Sequence, residues 1–132
     1  MELQNSKQIL KNALDGHYGV GAFNFVNIET LKSILDSAEE KKSPVIVQCS
    51  TGAIKYAGAE ALASITRIYA SKMTVPVCLN LDHGKTFEDC KNAIDAGATD
   101  SNKVTGIIQQ VIDAEPMAVT DYVSIVDGIT MM

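Results

Sequence analysis

The chain has little that would tie it to nucleic acid, to a membrane or to an oxidising compartment. Only 11 Lys and Arg stand against 16 Asp and Glu among 132 residues, a formal charge of -5. A phosphate backbone is bound by a basic face, so no nucleic-acid partner is expected. The three cysteines, Cys49, Cys78 and Cys90, form no even-numbered framework and show no C-x-x-C spacing. Each lies in an apolar or helical context, which reads as buried free thiols in a reducing compartment. No stretch approaches the ~18 consecutive apolar residues of a membrane span. The opening MELQNSKQILKN is polar and lacks an apolar h-region. The expected location is therefore the cytoplasm, with no membrane partner. What remains is ordinary: 46% hydrophobic and 20% charged residues, enough for one domain with a real core.

The hydrophobic pattern alternates between two periods. Ile9, Leu10, Ala13 and Leu14 recur at helical spacing, with Gly16 as the expected stop. Tyr18 to Asn24 (YGVGAFN) is short, apolar and glycine-rich, as in a buried strand. Asn27 can cap a helix with Ile28, Leu31, Ile34, Leu35 and Ala38 on its inner stripe, and Glu39-Glu40-Lys41-Lys42 reads as its solvated end. Ser43-Pro44 breaks that helix before the β-branched run Val45-Ile46-Val47, whose lack of alternation marks a strand buried on both faces. A helix is expected from about Ile54 or Gly58 to Lys72, with Leu62, Ile65, Ile68 and Tyr69 inward. Val75 to Leu81 then repeats the proline-and-apolar-run signal. Thr86 to Asp89 resembles a capping box, opening a helix with Phe87, Cys90 and Ile94 on one stripe and Gly97 at its end.

Residues 18–97 thus read β-α-β-α-β-α, the pattern of an α/β protein with a parallel sheet. Beyond Gly97 the texture changes. Asp100-Ser101-Asn102 reads as a turn, Val104 to Ala114 as a helix, and Tyr122 to Val126 as a final strand. Two units are expected: residues 1–97, and a helix-strand tail of different character over 98–132.

The segments GAFNFVNIETLKSILDSAEEKKSPVIVQCSTGAIKYAG and VPVCLNLDHGKTFEDCKNAIDAG, in this order, resemble the class II fructose-bisphosphate and tagatose-bisphosphate aldolases. The likeness covers about residues 3–97 and rests on AFN, SPVIVQ-S and LDHG-F-C in combination. It implies part of a TIM barrel, about three β/α units plus the C-terminal helix and strand, since a whole barrel takes roughly 250 residues. It also implies reversible zinc-dependent cleavage of a ketose 1,6-bisphosphate into dihydroxyacetone phosphate and an aldehyde. Under that resemblance His83 is a zinc ligand and Asp82 is the acid/base exchanging a proton with the aldehyde oxygen. Asn24 and Ser50 match positions that contact the phosphorylated sugar.

The chemistry is coherent with the predicted elements. All four residues fall at carboxyl ends of strands, where α/β sites are built. Neighbours in a strand point to opposite faces, so Asp82 and His83 can converge only where the strand yields to a loop, a freedom expected of Gly84. Bland readings stand beside these: Ser50 as a helix cap, Asn24 as a turn residue, His17 as a surface histidine. A catalytic zinc takes three protein ligands, and the resemblance supplies one, so the isolated chain is expected to bind zinc poorly and to lack activity. The tail allows two readings. Tyr122 to Gly128 could substitute as a fourth strand ending at Asp127, or about residues 104–127 resemble the C-terminal segment of pantothenate synthetase, without that family's nucleotide-binding motifs. The alternative to an aldolase-family chain is a non-catalytic truncated or chimeric α/β domain that self-associates. A homo-oligomer is expected in either case.

Overall fold

The computed structural model describes residues 2–97. Their elements follow the order α1 (Ser6–Gly16), β1 (Gly21–Asn24), α2 (Ile28–Glu40), β2 (Val45–Ser50), α3 (Thr51–Ala57), α4 (Ala59–Ala70), β3 (Val77–Asp82) and α5 (Phe87–Asp95). The expected helix over 104–114, the strand over 122–126 and Asp127 lie outside the described residues.

The strands form one parallel sheet in the order β1-β2-β3. Register places Ala22 beside Ile46 and Ile46 beside Cys78, and two residues on it places Asn24 beside Gln48 and Gln48 beside Asn80. Because side chains alternate, β2 and β3 each feed two cores. Val45, Val47, Cys49, Val77 and Leu79 join Phe25, Leu31, Leu35, Leu62 and Ala63 in the larger cluster, under α2 and α4. Ile46 and Cys78 face the other way and meet Ile9 of α1, with Leu10, Val20 and Ala22 packed around them. This explains the uninterrupted apolar runs: both faces of β2 and β3 are covered at their amino-terminal halves.

Several local expectations are corrected. Gly16 closes α1 as its last helical residue, but the left-handed residue after it is His17, at φ 54°. Of the two starts expected for the helix running up to Lys72, Gly58 is right and Ile54 is not. α4 begins at Ala59, and Ile54 belongs to the separate α3, because Gly58 adopts φ 87° and breaks the helical path after Ala57. Ile68 is 56% exposed rather than inward. It lies about 200° round the helix from the fully buried Thr66, given 3.6 residues per turn. Phe87 is likewise 58% exposed, and Ala93 is the residue α5 buries. The first position of a helix sits at its rim, so a large side chain there need not reach the sheet.

Asn27 does cap α2, in a reciprocal box with Thr30. The acidic-basic end of α2 is more than solvated. Glu39 accepts from the backbone N–H of Thr74 at 2.8 Å and from its hydroxyl, and it pairs with Lys42. The helix end is thereby tied to the loop entering β3. These donors hold the Glu39 carboxyl at about 2, far below its ordinary 4.5, with Lys42 the largest cause and Thr74 next. A depressed acid stabilises the fold above its unfolded pKa and loses that contribution as pH falls through the folded value. Thermal melts between pH 6 and 2.5 should therefore show Glu39→Gln less stable than the parent near neutrality. The two should converge as pH drops from about 4.5 towards 2. A gap that stays constant over that range would refute the tie.

Candidate functional site

The carboxyl ends of the strands carry the polar residues. On the face that α1 covers, the rung after Ala22, Ile46 and Cys78 is Asn24, Gln48 and Asn80, and the next pairs Ser50 with Asp82. α1 packs on the apolar rung only, so the polar rungs form the open end of that face.

The four residues named from sequence all lie around Asp82, in direct contact or as neighbours. Asn24 Nδ2 donates to Asp82 Oδ2 at 2.8 Å, across 58 positions of sequence. β1 and β3 are separated by β2, and adjacent strands lie ~4.8 Å apart. Side chains two strands apart touch only if the face they share is concave, so this contact reports the curvature of the sheet. Ser50 lies beside Asp82 in register, but its Oγ accepts from Ala53 N–H at 3.1 Å as the cap of α3. The helix-cap reading of Ser50 is therefore correct, and its hydroxyl hydrogen remains available to a ligand.

His83 sits beside Asp82, Nε2 to Oδ1 3.5 Å, with 77% of its side chain exposed against 23% for Asp82. The two side chains converge as expected, but not by way of Gly84. His83 itself takes the left-handed conformation, φ 54°, whereas Gly84 has no positive φ. The requirement at Gly84 is space: a Cβ there would come within 2.7 Å of Leu81 Cδ2 and 3.0 Å of Cys90 Sγ. Beyond it, the N–H groups of Lys85 and Thr86 both donate to Asp89, and Thr86 caps Asp89 in return. The loop leaving Asp82 and His83 is thus fastened to the first turn of α5.

Gln48 and Asn80 were not singled out from sequence. Gln48 is 91% buried, and its Nε2 donates to Asn24 Oδ1 at 2.9 Å, while Asn80 Nδ2 approaches Gln48 Oε1 at 3.4 Å. The available signal was an amide interrupting each apolar strand, VIVQCS and VCLNLD. A buried amide needs partners, so such an interruption points to a polar network.

The donor set is small. Among the described residues, no three His, Cys, Asp or Glu side chains group closely enough to hold a metal ion. His17 precedes β1 and lies at the opposite end of the sheet from His83. Burial pushes the thiols of Cys49 and Cys78 up to about 12. Cys90 is raised too, by burial and then by Asp89. The described residues alone therefore do not fit a catalytic zinc, which takes three protein ligands.

Comparison with known proteins points in one direction. The family described as fructose-bisphosphate aldolase class-II matches residues 4–109. A fructose-bisphosphate aldolase of Geobacillus stearothermophilus is 47% identical over 102 residues, which are 75% of this chain and 36% of that protein. A 6-phospho-5-dehydro-2-deoxy-D-gluconate aldolase of Halalkalibacterium halodurans is 44% identical over 75% of this chain and 35% of its own length. The crystal structure of the YdjI aldolase from Escherichia coli superposes with a TM-score of 0.68 at 36% identity, covering 72% of this chain and 37% of that one. The chain spans about a third of the length of the curated relatives it matches. The likeness of the tail to pantothenate synthetase gains no support from these comparisons. Three parallel strands with their helices are a partial TIM-barrel arrangement, in keeping with the aldolase structures it resembles.

Proposed function

The chain belongs to the class II fructose-bisphosphate aldolase family, and from that premise we propose that it carries the acid/base end of an aldolase site. Asp82 is the proton-transfer group, His83 one ligand of a zinc ion, and Asn24 and Ser50 contacts to a phosphorylated ketose. The observation that supports this best is the Asp82 carboxylate at the open strand ends, one oxygen engaged by Asn24 and the other towards His83.

In the cleavage direction a carboxylate at Asp82 takes the hydroxyl proton from the carbon that becomes the aldehyde. The carbon–carbon bond breaks, and its electron pair stays with the ketone half, the future dihydroxyacetone phosphate. In condensation the same group returns the proton to the aldehyde oxygen. Asn24 holds Oδ2, so Oδ1 is the oxygen presented for this transfer. Stabilising the electron-rich ketone half needs an electrophile that the described residues do not supply. Zinc is the family's expected electrophile, and its other ligands must come from outside residues 2–97. Activity of the isolated chain is accordingly predicted to be absent or very weak, with further strands, on this or another chain, needed to complete the site.

Equilibrium dialysis against zinc, beside an assay for dihydroxyacetone phosphate release from fructose and tagatose 1,6-bisphosphates, tests the proposal. The expected result is weak, substoichiometric zinc that is lost in His83→Ala, with release near background. Tight stoichiometric zinc that survives His83→Ala would overturn the ligand assignment.

A second reading draws on the edges. Among the described residues β1 has a neighbour on one side only; Phe23 on it is 52% exposed, and Val26 and Ile28, which follow it, are 42% and 45% exposed. An unpaired edge bordered by apolar side chains favours association, the behaviour of a non-catalytic self-associating domain as well as of a homo-oligomeric enzyme. His83→Ala separates them: the enzyme reading predicts lost metal binding, whereas the non-catalytic reading predicts nearly unchanged behaviour.

A further inference from the structure

We propose that Asn80, Gln48 and Asn24 form a polarised amide relay that ends on Asp82, and that Gln48 is a positioning residue for that carboxylate. Calling this positioning for catalysis rests on the aldolase reading of Asp82; the relay itself does not.

The direction of the relay is dictated by chemistry. An ionised carboxylate only accepts hydrogen bonds, whereas a carboxamide has one accepting end and one donating end. Asp82 Oδ2 therefore requires the NH2 of Asn24, which it meets at 2.8 Å. The oxygen of Asn24 is then turned towards β2, and its neighbour there must donate. Gln48 Nε2 does so at 2.9 Å. That in turn leaves Gln48 Oε1 facing β3, where Asn80 Nδ2 approaches at 3.4 Å. One negative charge thus sets the orientation of three amides on three strands. Conversely, the amides fix which side of Asp82 is occupied and which is free.

Burial grades the roles. Asn24 is exposed and on its own could rotate its amide to solvent. Gln48 is 91% buried, beneath Asn24 and Asp82 on the concave face, so a reversed amide there would face its neighbours with nothing to accept or donate. The backbone reinforces it: Gln48 O accepts from Phe25 N–H at 3.0 Å, which ties the same residue to the chain just after Asn24. A 3.4 Å contact makes Asn80 the weakest link, and Gln48 the member whose loss releases Asn24.

Gln48→Met tests this, because it keeps the length and apolar stem while deleting both hydrogen-bonding ends. Two readouts by NMR are expected to change in the full chain even if the melting temperature does not. Exchange of the Asn24 side-chain amide rises roughly tenfold, as for loss of one hydrogen bond. The Asp82 χ1 couplings move towards rotamer averaging. Unchanged exchange and unchanged couplings in a folded Gln48→Met chain overturn the relay. A variant pair covers the case in which Gln48→Met does not fold. Gln48→Glu places an acceptor where a donor is needed, so the Asn24 amide should invert and the melting temperature fall. Adding Asp82→Asn, which can donate to the inverted amide, should recover most of that fall. An Asn24 amide that still directs its nitrogen to position 82 in Gln48→Glu also overturns the proposal. None of these readouts involves zinc or a sugar phosphate, so failure of the relay and failure of the aldolase assignment are distinguishable.

Discussion

Replacing Phe25 by alanine should destabilise the chain by about 3–5 kcal/mol, the cost of emptying a fully packed aromatic site. Phe25 is 1% exposed and lies in the larger core with Leu31, Val47 and Leu79. Its ring is carried by the residue that leaves β1, so the cavity would open at the carboxyl end of the sheet, under the polar rung. Domains of this size retain only ~5–15 kcal/mol in all, so the loss would be a large share of the total. A fall in melting temperature on the order of 15–20 °C is expected from that figure. Phe87→Ala is the matched control, since Phe87 is 58% exposed and should change stability by no more than ~0.5 kcal/mol. Similar shifts for the two variants would show that the cluster around Phe25 is not the core.

The second large effect is expected at His83, where stability and chemistry separate. Its φ of 54° is a left-handed conformation that costs an L residue about 1–2 kcal/mol, least for residues such as His and Asn that visit it most readily. His83→Gly and His83→Asn should therefore melt close to the parent, although glycine adds entropy to the unfolded chain. His83→Val is β-branched, for which this conformation is a true outlier, and should lose ~2 kcal/mol or more. All three remove the imidazole, so all three should abolish whatever zinc the chain binds. Differential scanning calorimetry of the series gives the order. A valine variant as stable as the glycine variant would mean that the turn after Asp82 is not left-handed. The left-handed step is what lets two consecutive side chains, Asp82 and His83, converge, which an extended strand forbids.

The resemblance at Asp82-His83 could be read without a structure because it is carried by residue types at fixed intervals. The same holds for the order of strands and helices. Proline before each of β2 and β3, the apolar runs after them, and the caps at Asn27 and Thr86 are local signals, and local energetics dictate them. Corrections came where two conformations are locally near-equal. Nothing nearby tells whether Gly16 or His17 takes the left-handed step, or whether Gly84 is needed for its φ or for its missing Cβ. The contacts of Leu81 and Cys90 decide the latter.

What only the tertiary structure decided is the relation among distant positions. Asn24, Gln48, Asn80 and Asp82 lie on three strands, and their hydrogen bonds exist because parallel register aligns them on one concave face. Neither propensity nor periodicity encodes register between strands joined by a helix; packing of both faces sets it. The link from Glu39 to Thr74 is of the same kind, spanning 35 positions that look solvated one by one. Sequence alone thus determined the alternation of strands and helices, the family resemblance and the end of the sheet where polar residues gather. The fold decided which polar groups touch there, because hydrogen bonds act over about 3 Å and only the packed chain brings them that close.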